Sequence, residues 1–514
     1  MALATKVLDQ GADANASDPK GTSALIYGMV SKRRHDVVSL LLQHGADANG
    51  TDRTGKPALL WAIESHDDAL VDVLLGAGAS SIARDRKGNS AFFVALATQS
   101  HHALQALIQH GIKAGQDVRP GVSAIDVATR LGDVAAMKIL LAAGASANAA
   151  SANGVSPLVL AAASGSADEV RLLLDHGAST SPHANGGVPL AALAIAGPGR
   201  RHARGQSISR GQVLEVLLDH GIDVDEHDSS GRTALLDAAI AGQTLSAKIL
   251  LAHGAQVNRQ DGDGRTSLGI AAAAGDVAMV RLLVDHHADV DLADKQGFSP
   301  LIWAVRYNHV TVVDELLHGG AHVETASKLK IAPLLLACWK GNPTVVKKFL
   351  DKGARVNAPG PDGATPLMVA AHQGNPSIVK MLLAHGANAD ARTKKGASAL
   401  DYAGKNKKVA ALLLPHMASI PGLEGPTAPK PADLNLPGIP GMPDTTPGKT
   451  AQQPNPQNPA MPNIPGMPNI PGQPGFGNNP NPMPGGPQMP SVPTLPTGIS
   501  VPGANGIPRL PGQP

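Results

Sequence analysis

The chain has 514 residues, 43% of them hydrophobic, and a formal net charge of +2 at pH 7, so nothing global calls for nucleic acid or an acidic membrane surface. Its 57 Gly and 42 Pro are too many for one ordinary core. A single cysteine, Cys338, excludes an intrachain disulfide and any zinc site built on several thiolates, and no apolar run is long enough for a transmembrane helix.

Residues 4–15, ATKVLDQGADAN, read as a short apolar helix, a glycine and a polar loop. The phrase returns as LLLQHGADAN (40–49), LLAAGASAN (140–148), LLLDHGAST (172–180), LLAHGAQVN (250–258) and LLAHGANAD (382–390). Its glycine falls at Gly11, Gly45, Gly78, Gly111, Gly144, Gly177, Gly221, Gly254, Gly320, Gly353 and Gly386, and nearly every step is 33 residues. The remaining slot is held by His287. Ahead of each glycine lies a second apolar phrase, such as SPLVLAAASG (156–165), SPLIWAVRYN (299–308) or TPLMVAAHQG (365–374). Each unit therefore predicts two short helices and an extended loop with turn chemistry, as in NRQDGDGRT (258–266). The glycine after Leu-Leu suits a left-handed cap. Helices of roughly ten residues are marginal alone, and stacking neighbours buries the Leu rows continuously.

This period and these phrases resemble the ankyrin repeat. Twelve units span residues 19–414, preceded by an incomplete half repeat at 1–18. The resemblance implies an all-α solenoid of helix–turn–helix units joined by β-hairpin-like loops. It also implies a concave surface of hairpin tips and first helices that binds proteins. The family's T-P-L-H histidine is absent; Ile26, Leu60, Phe93, Asp126, Val159, Ile302, Leu335 and Met368 stand there, predicting a more apolar seam. In the half repeat, Leu3, Val7 and Leu8 lack a covering helix. A missing leader, a missing upstream domain or a helix borrowed from a partner would each account for that.

Two segments depart from the period. The sixth unit carries an insertion, PGRRHARGQSIS (198–209), where Arg200, Arg201 and Arg204, with the adjacent Arg210, form a secondary basic loop unanswered by acid. Four arginines suit a phosphate or an acidic patch, but without interleaved aromatics they are no nucleic-acid signature. From Pro415 to Pro514 the composition turns to Pro, Gly, Asn, Gln and Met, with IPGMP at 439–443 and again at 464–468. This tail has too little apolar surface to offset its ordering entropy and reads as disordered. Its P-x-x-P spacings make an SH3- or WW-type ligand a weaker reading than a flexible tether.

Chemistry finds little footing. The pairs Asp175-His176, Asp219-His220 and Asp285-His286 share one register with His44, His110, His253 and His385. Equivalent residues of packed helices stand about 8–10 Å apart, too far to share a metal, and the helix dipole accounts for a terminal His. Gly262-Asp263-Gly264 resembles the start of a calcium loop but lacks the closing Glu. No nucleophile elbow, P-loop or H-E-x-x-H occurs, and Cys338 sits where a small buried residue belongs. No enzyme, metal or cofactor is expected.

The expected partner face follows from the resemblance, which exposes the two residues after the paired alanines. Those positions are bland in the middle repeats but become Arg306 with Tyr307, Trp339 with Lys340, and His372 with Gln373 in the ninth to eleventh. Phe298 joins them at another position expected to face outward. Tyr, Trp and Arg dominate binding hot spots, so the expectation is a protein-binding scaffold or adaptor whose site lies there. The rivals are a structural spacer without a hot spot, and the interaction region of a longer chain with an enzymatic domain upstream. Partner identity does not follow from the sequence. For compartment, cytoplasmic is favoured over secreted or periplasmic, which would need a leader upstream.

If the tail buries nothing, truncation after Leu414 leaves the thermal midpoint of the full chain unchanged. A drop of several degrees in a melting scan would show that it packs on the repeats.

Overall fold

The computed structural model describes residues 2–119, 121–151, 154–180, 189–196, 210–324, 327–328 and 331–417. The basic insertion with Arg200, Arg201 and Arg204, and the proline-rich tail beyond Met417, lie outside the described residues; Arg210 opens the helix Arg210–Asp219. The described residues fall into two compact units, one up to Leu190 and the other from Ala191.

Each repeat is a pair of short helices. In the first unit Ala58–Glu64 and Asp68–Gly76 are followed by Ala91–Ala97 and His101–Gln109, then Ala124–Leu131 and Val134–Ala142. In the second, Pro300–Arg306 and Val310–His318 precede Pro333–Lys340 and Pro343–Asp351, then Pro366–His372 and Pro376–Ala384. First helices start where they do because a Ser or Thr hydroxyl takes the backbone N–H three residues on: Ser90 from Phe93 at 3.1 Å, Ser123 from Asp126 at 3.2 Å, Ser299 from Ile302 at 3.4 Å. Pro300, Pro333 and Pro366 occupy the first helical position, where no N–H is needed. The helix bearing Trp339 begins at Ala332 without a hydroxyl cap.

The seam is apolar where the sequence predicts it. Ile26, Leu60, Phe93, Val159, Ile302, Leu335 and Met368 are all buried. Asp126, in the same register, is buried against Arg130, whose Nε donates to its carboxylate at 2.8 Å. One register of the second helices is sealed completely from repeat to repeat. Leu74, Leu107, Leu140 and Leu173 are 0% exposed in the first unit, as are Leu217, Leu250, Leu283, Leu316, Phe349 and Leu382 in the second. Each such side chain contributes about 1.5–3 kcal/mol by leaving water.

Polar locks set the spacing between repeats. The loop residue Asn49 accepts the backbone N–H of Ser80 at 2.8 Å, and Asn148 accepts that of Ser179 at 2.7 Å. In the second unit Asn258 serves Asp289 at 2.8 Å, Asp291 serves His322 at 3.0 Å and Asn357 serves Asn388 at 2.8 Å. The amides of Asn148 and Asn357 also donate to the carbonyls of Gly177 and Gly386, at 2.9 and 3.1 Å. Those carbonyls belong to the glycines just after the second helices, all of which have positive φ.

Two registers of left-handed backbone thus recur. After the second helix, His287 alone replaces glycine and still adopts φ 62°. After the first helix, His66, Gln99 and Asn308 stand at φ 51°, 55° and 62°, where Gly132, Gly275 and Gly341 stand elsewhere. At Gly275 a Cβ would come within 2.6 Å of the His309 ring, so only glycine fits. The terminal histidines behave as the dipole argument predicts: Nδ1 of His44, His176, His220 and His385 donates to the carbonyl four residues back at 2.7–2.9 Å.

His287 is exposed, and a Cβ at the equivalent Gly254 or Gly320 would touch nothing within 4 Å. Its cost is therefore backbone strain alone, about 1 kcal/mol for a residue type that tolerates this region. His287→Gly should stabilise the chain by up to about 1 kcal/mol, less the entropy that Gly gains unfolded. It should also slow hydrogen exchange around residues 277–300. Destabilisation beyond about 1 kcal/mol in urea titrations would show that the imidazole makes a native contact.

Candidate docking face

The expected partner residues lie on the first helices and hairpins of the second unit, and two of them do not face solvent. Phe298 is 2% exposed and Arg306 is 3% exposed, whereas the sequence reading placed both outward. In the register of Arg306, Ile195, Ile240 and Ala273 are buried as well, whereas Ala163 is half-buried. Tyr307, Trp339 and His372 are half-buried, and Lys340 and Gln373 are exposed.

The hairpin explains the burial of Phe298. Asp294 Oδ1 accepts the backbone N–H groups of Gln296 and Phe298, each at 2.9 Å, and its Oδ2 accepts the indole N–H of Trp303 at 3.0 Å. Pinned in this way, Trp303 meets the Phe298 ring edge-on at 5.2 Å and stacks with Tyr307 at 5.9 Å and 8° between planes. His309 extends the group, 6.3 Å from Tyr307, and its Nε2 donates to the Ala273 carbonyl at 3.1 Å. Desolvation pushes the His309 imidazole below its ordinary pKa, against that hydrogen bond. The Arg306 guanidinium lies 5.3 Å from the Trp303 ring centre, 5.8 Å from Phe298 and 5.9 Å from Tyr307. Burial pushes it down from its ordinary pKa, with Tyr307 and Asp294 opposing.

A second group bridges the next repeats. Trp339 stacks with His372 at 6.2 Å and 14°, and His372 meets Tyr402 edge-on at 6.1 Å. Burial pushes the His372 imidazole down. Desolvation, then the charge of Arg306, pushes the Lys340 ammonium down. Asparagines hold these helix ends together: Asn342 donates to Asn308 Oδ1 at 2.6 Å and Asn375 to the Gly341 carbonyl at 3.2 Å.

Trp303, His309 and Tyr402 belong to these groups although the sequence reading did not place them in the site. A signal for Trp303 was present. An Asp nine residues before an aromatic recurs as Asp18 with Tyr27, Asp52 with Trp61 and Asp294 with Trp303, and in each pair the ring's polar hydrogen reaches the carboxylate. Trp61 is half-buried, with Lys56 Nζ 4.2 Å from its ring centre. Elsewhere, Cys338 is fully buried and its thiol is pushed up by desolvation. Among the described residues, no group of three or more His, Cys, Asp or Glu side chains could hold a metal ion, and no helix is long and apolar enough to cross a membrane.

A family model described as ankyrin repeats (3 copies) matches residues 2–85, 126–203, 202–261, 253–327 and 334–421. The chain belongs to the ankyrin-repeat family. Ankyrin repeats are in general protein–protein interaction modules, and ankyrin-repeat proteins are typically non-catalytic. No curated protein matches the chain. The helix pairs, the 33-residue registers and the hairpin loops of this ankyrin-repeat protein are those its sequence predicts.

The seventh repeat holds Asp237 in the register of Trp303. Burial raises its carboxyl from 3.8 to about 6, against the nearby Arg232 and helped by Asp228. Arg232 is committed to Asp228, with Nε at 3.1 Å, and stands 3.9 Å from Asp237. Because the folded pKa lies above the unfolded one, the folded state keeps this proton while the unfolded state releases it. The contribution is favourable below about pH 4 and is lost as pH rises through about 6. Asp237→Asn should therefore stabilise the protein by about 2–3 kcal/mol at pH 7 and by much less at pH 4. Urea titrations of both proteins at the two pH values check this, and an equal effect at both would refute it.

Proposed function

We propose that the chain is a non-catalytic adaptor that docks a partner protein on the first-helix and hairpin face of repeats nine to eleven. The observation that carries this is the pair of ring groups on successive repeats, Phe298–Trp303–Tyr307 and Trp339–His372–Tyr402, whose half-exposed members sit beside exposed Lys340 and Gln373. Rigid, half-desolvated aromatics beside a cation are what binding hot spots use, since little side-chain freedom remains to be lost on association. Phe298 and Trp303 support this face from beneath. Tyr307, Trp339, Lys340, His372 and Gln373 are the contact residues.

The stacking of Trp339 on His372 also favours a second reading, in which the ring only seals the seam between repeats and the chain acts as a spacer. The two readings separate cleanly. A partner captured by the full chain and identified should bind Trp339→Ala more weakly by about 2 kcal/mol or more in calorimetry. Leu245→Ser alters the one large apolar side chain 63% exposed on a second helix of the same unit and should leave affinity unchanged. If Trp339→Ala lowers the melting midpoint but not the affinity, the seam reading holds.

A further inference from the structure

Charged side chains turned inward in this chain have a consistent remedy. Arg130 donates from Nε to Asp126, and Arg265 from Nε to Asp261, each at 2.8 Å; Arg232 donates to Asp228 at 3.1 Å. Each of these aspartates lies four residues before its arginine. Four residues before Arg306 stands Ile302, and Arg306 is buried more deeply than any of the three. Its Nη1 and Nη2 are both buried without a well-formed hydrogen bond, the Tyr307 hydroxyl lying close enough for only a weak polar contact. Asp294 is close enough to act on its charge, but the Asp294 oxygens are engaged by two backbone N–H groups and the Trp303 indole. Three aromatic rings offer a buried guanidinium only part of what it loses with water. In the free protein Arg306 is therefore a destabilising residue, and an apolar side chain would pack there at lower free energy.

We propose that Arg306 is the anchor for an Asp or Glu side chain on an extended segment of the partner, received between Tyr307 and Lys340. This rests on the docking face inferred above and names the chemistry of its partner. The unmet charge is one, which a single carboxylate balances, and its planar pair of oxygens matches those two nitrogens bidentately. Lys340, exposed, supplies a second positive charge that steers an acidic segment toward the site. Tyr307 is the half-exposed cover, and rotation of its ring away from Trp303 uncovers the guanidinium.

The test uses the full chain and a displayed library of random short peptides, with Arg306→Met and Trp339→Ala as comparison proteins. Enriched peptides should share an Asp or Glu. Changing that residue to Asn or Gln should weaken binding to the wild-type chain about tenfold or more, yet leave binding to Arg306→Met unchanged. The free Arg306→Met protein should melt at a higher temperature than wild type, which also shows that the variant is folded. Arg306→Lys, with one charge and no fork, should bind the acidic peptides more weakly than wild type. Peptides that need Trp339 but are indifferent to the carboxylate and to Arg306 would leave the docking face standing and overturn the anchor. A lower midpoint for Arg306→Met would overturn it too, because the guanidinium would then be a stabilising part of the fold. If no peptide is enriched, the docking face and the anchor both fall.

Discussion

The backbone turn that ends each second helix is the constraint on which the stack depends. A left-handed residue there frees a carbonyl, and in several repeats an asparagine of the preceding loop donates to it while its Oδ1 takes the next N–H, as Asn148 does with Gly177 and Ser179. The lock fixes how far and at what angle one repeat follows another. Once that is set, the sealed positions at Leu74, Leu107, Leu140 and Leu173 meet in one row. Burial then supplies most of the free energy, and the polar lock supplies the geometry. His287 shows that the turn is required more strictly than the glycine, because the chain keeps the conformation with a side chain that resists it.

Upon that frame the ninth to twelfth repeats differ from the others of the second unit in what they place on their first helices. Elsewhere in the second unit the register of Trp303 holds Asp237 or Ile270, and the helix ends are alanine-rich. Here an aspartate in the hairpin orients an indole, the indole supports a tyrosine, and an arginine is enclosed by the three rings. The hairpin and the first helix therefore act as one structural unit, with the hairpin hydrogen bonds deciding where the rings point. Of these helices the one bearing Trp339 lacks the local support its neighbours have, since it begins without a capping hydroxyl while theirs are capped by Ser299, Thr365 and Ser398.

The fold was almost wholly legible because its determinants are periodic. Gly11 to Gly386 report backbone conformation directly, and the apolar substitutes for the family histidine report the seam. The site was legible by register but not by direction. Arg306 was read as exposed because the residues after the paired alanines ordinarily are, and Phe298 because its loop position ordinarily faces outward. Both are turned under by Trp303, whose orientation depends on a hydrogen bond from nine residues away. His309 and Tyr402 joined the ring groups through contacts between successive helices or repeats, which no single phrase of the sequence contains.

Cys338 gives this molecule an internal clock. It is the only thiol in the chain, lies one residue before Trp339 on the helix of the tenth repeat, and is fully buried. A thiol reagent in water can reach it only when that helix pair opens, and burial also withholds the reactive thiolate. The rate at which the folded chain is labelled thus counts openings of the tenth repeat against the rest. Because the thiol adjoins the proposed docking face without forming part of it, occupancy of that face would be written in the labelling rate without any label touching the ligand.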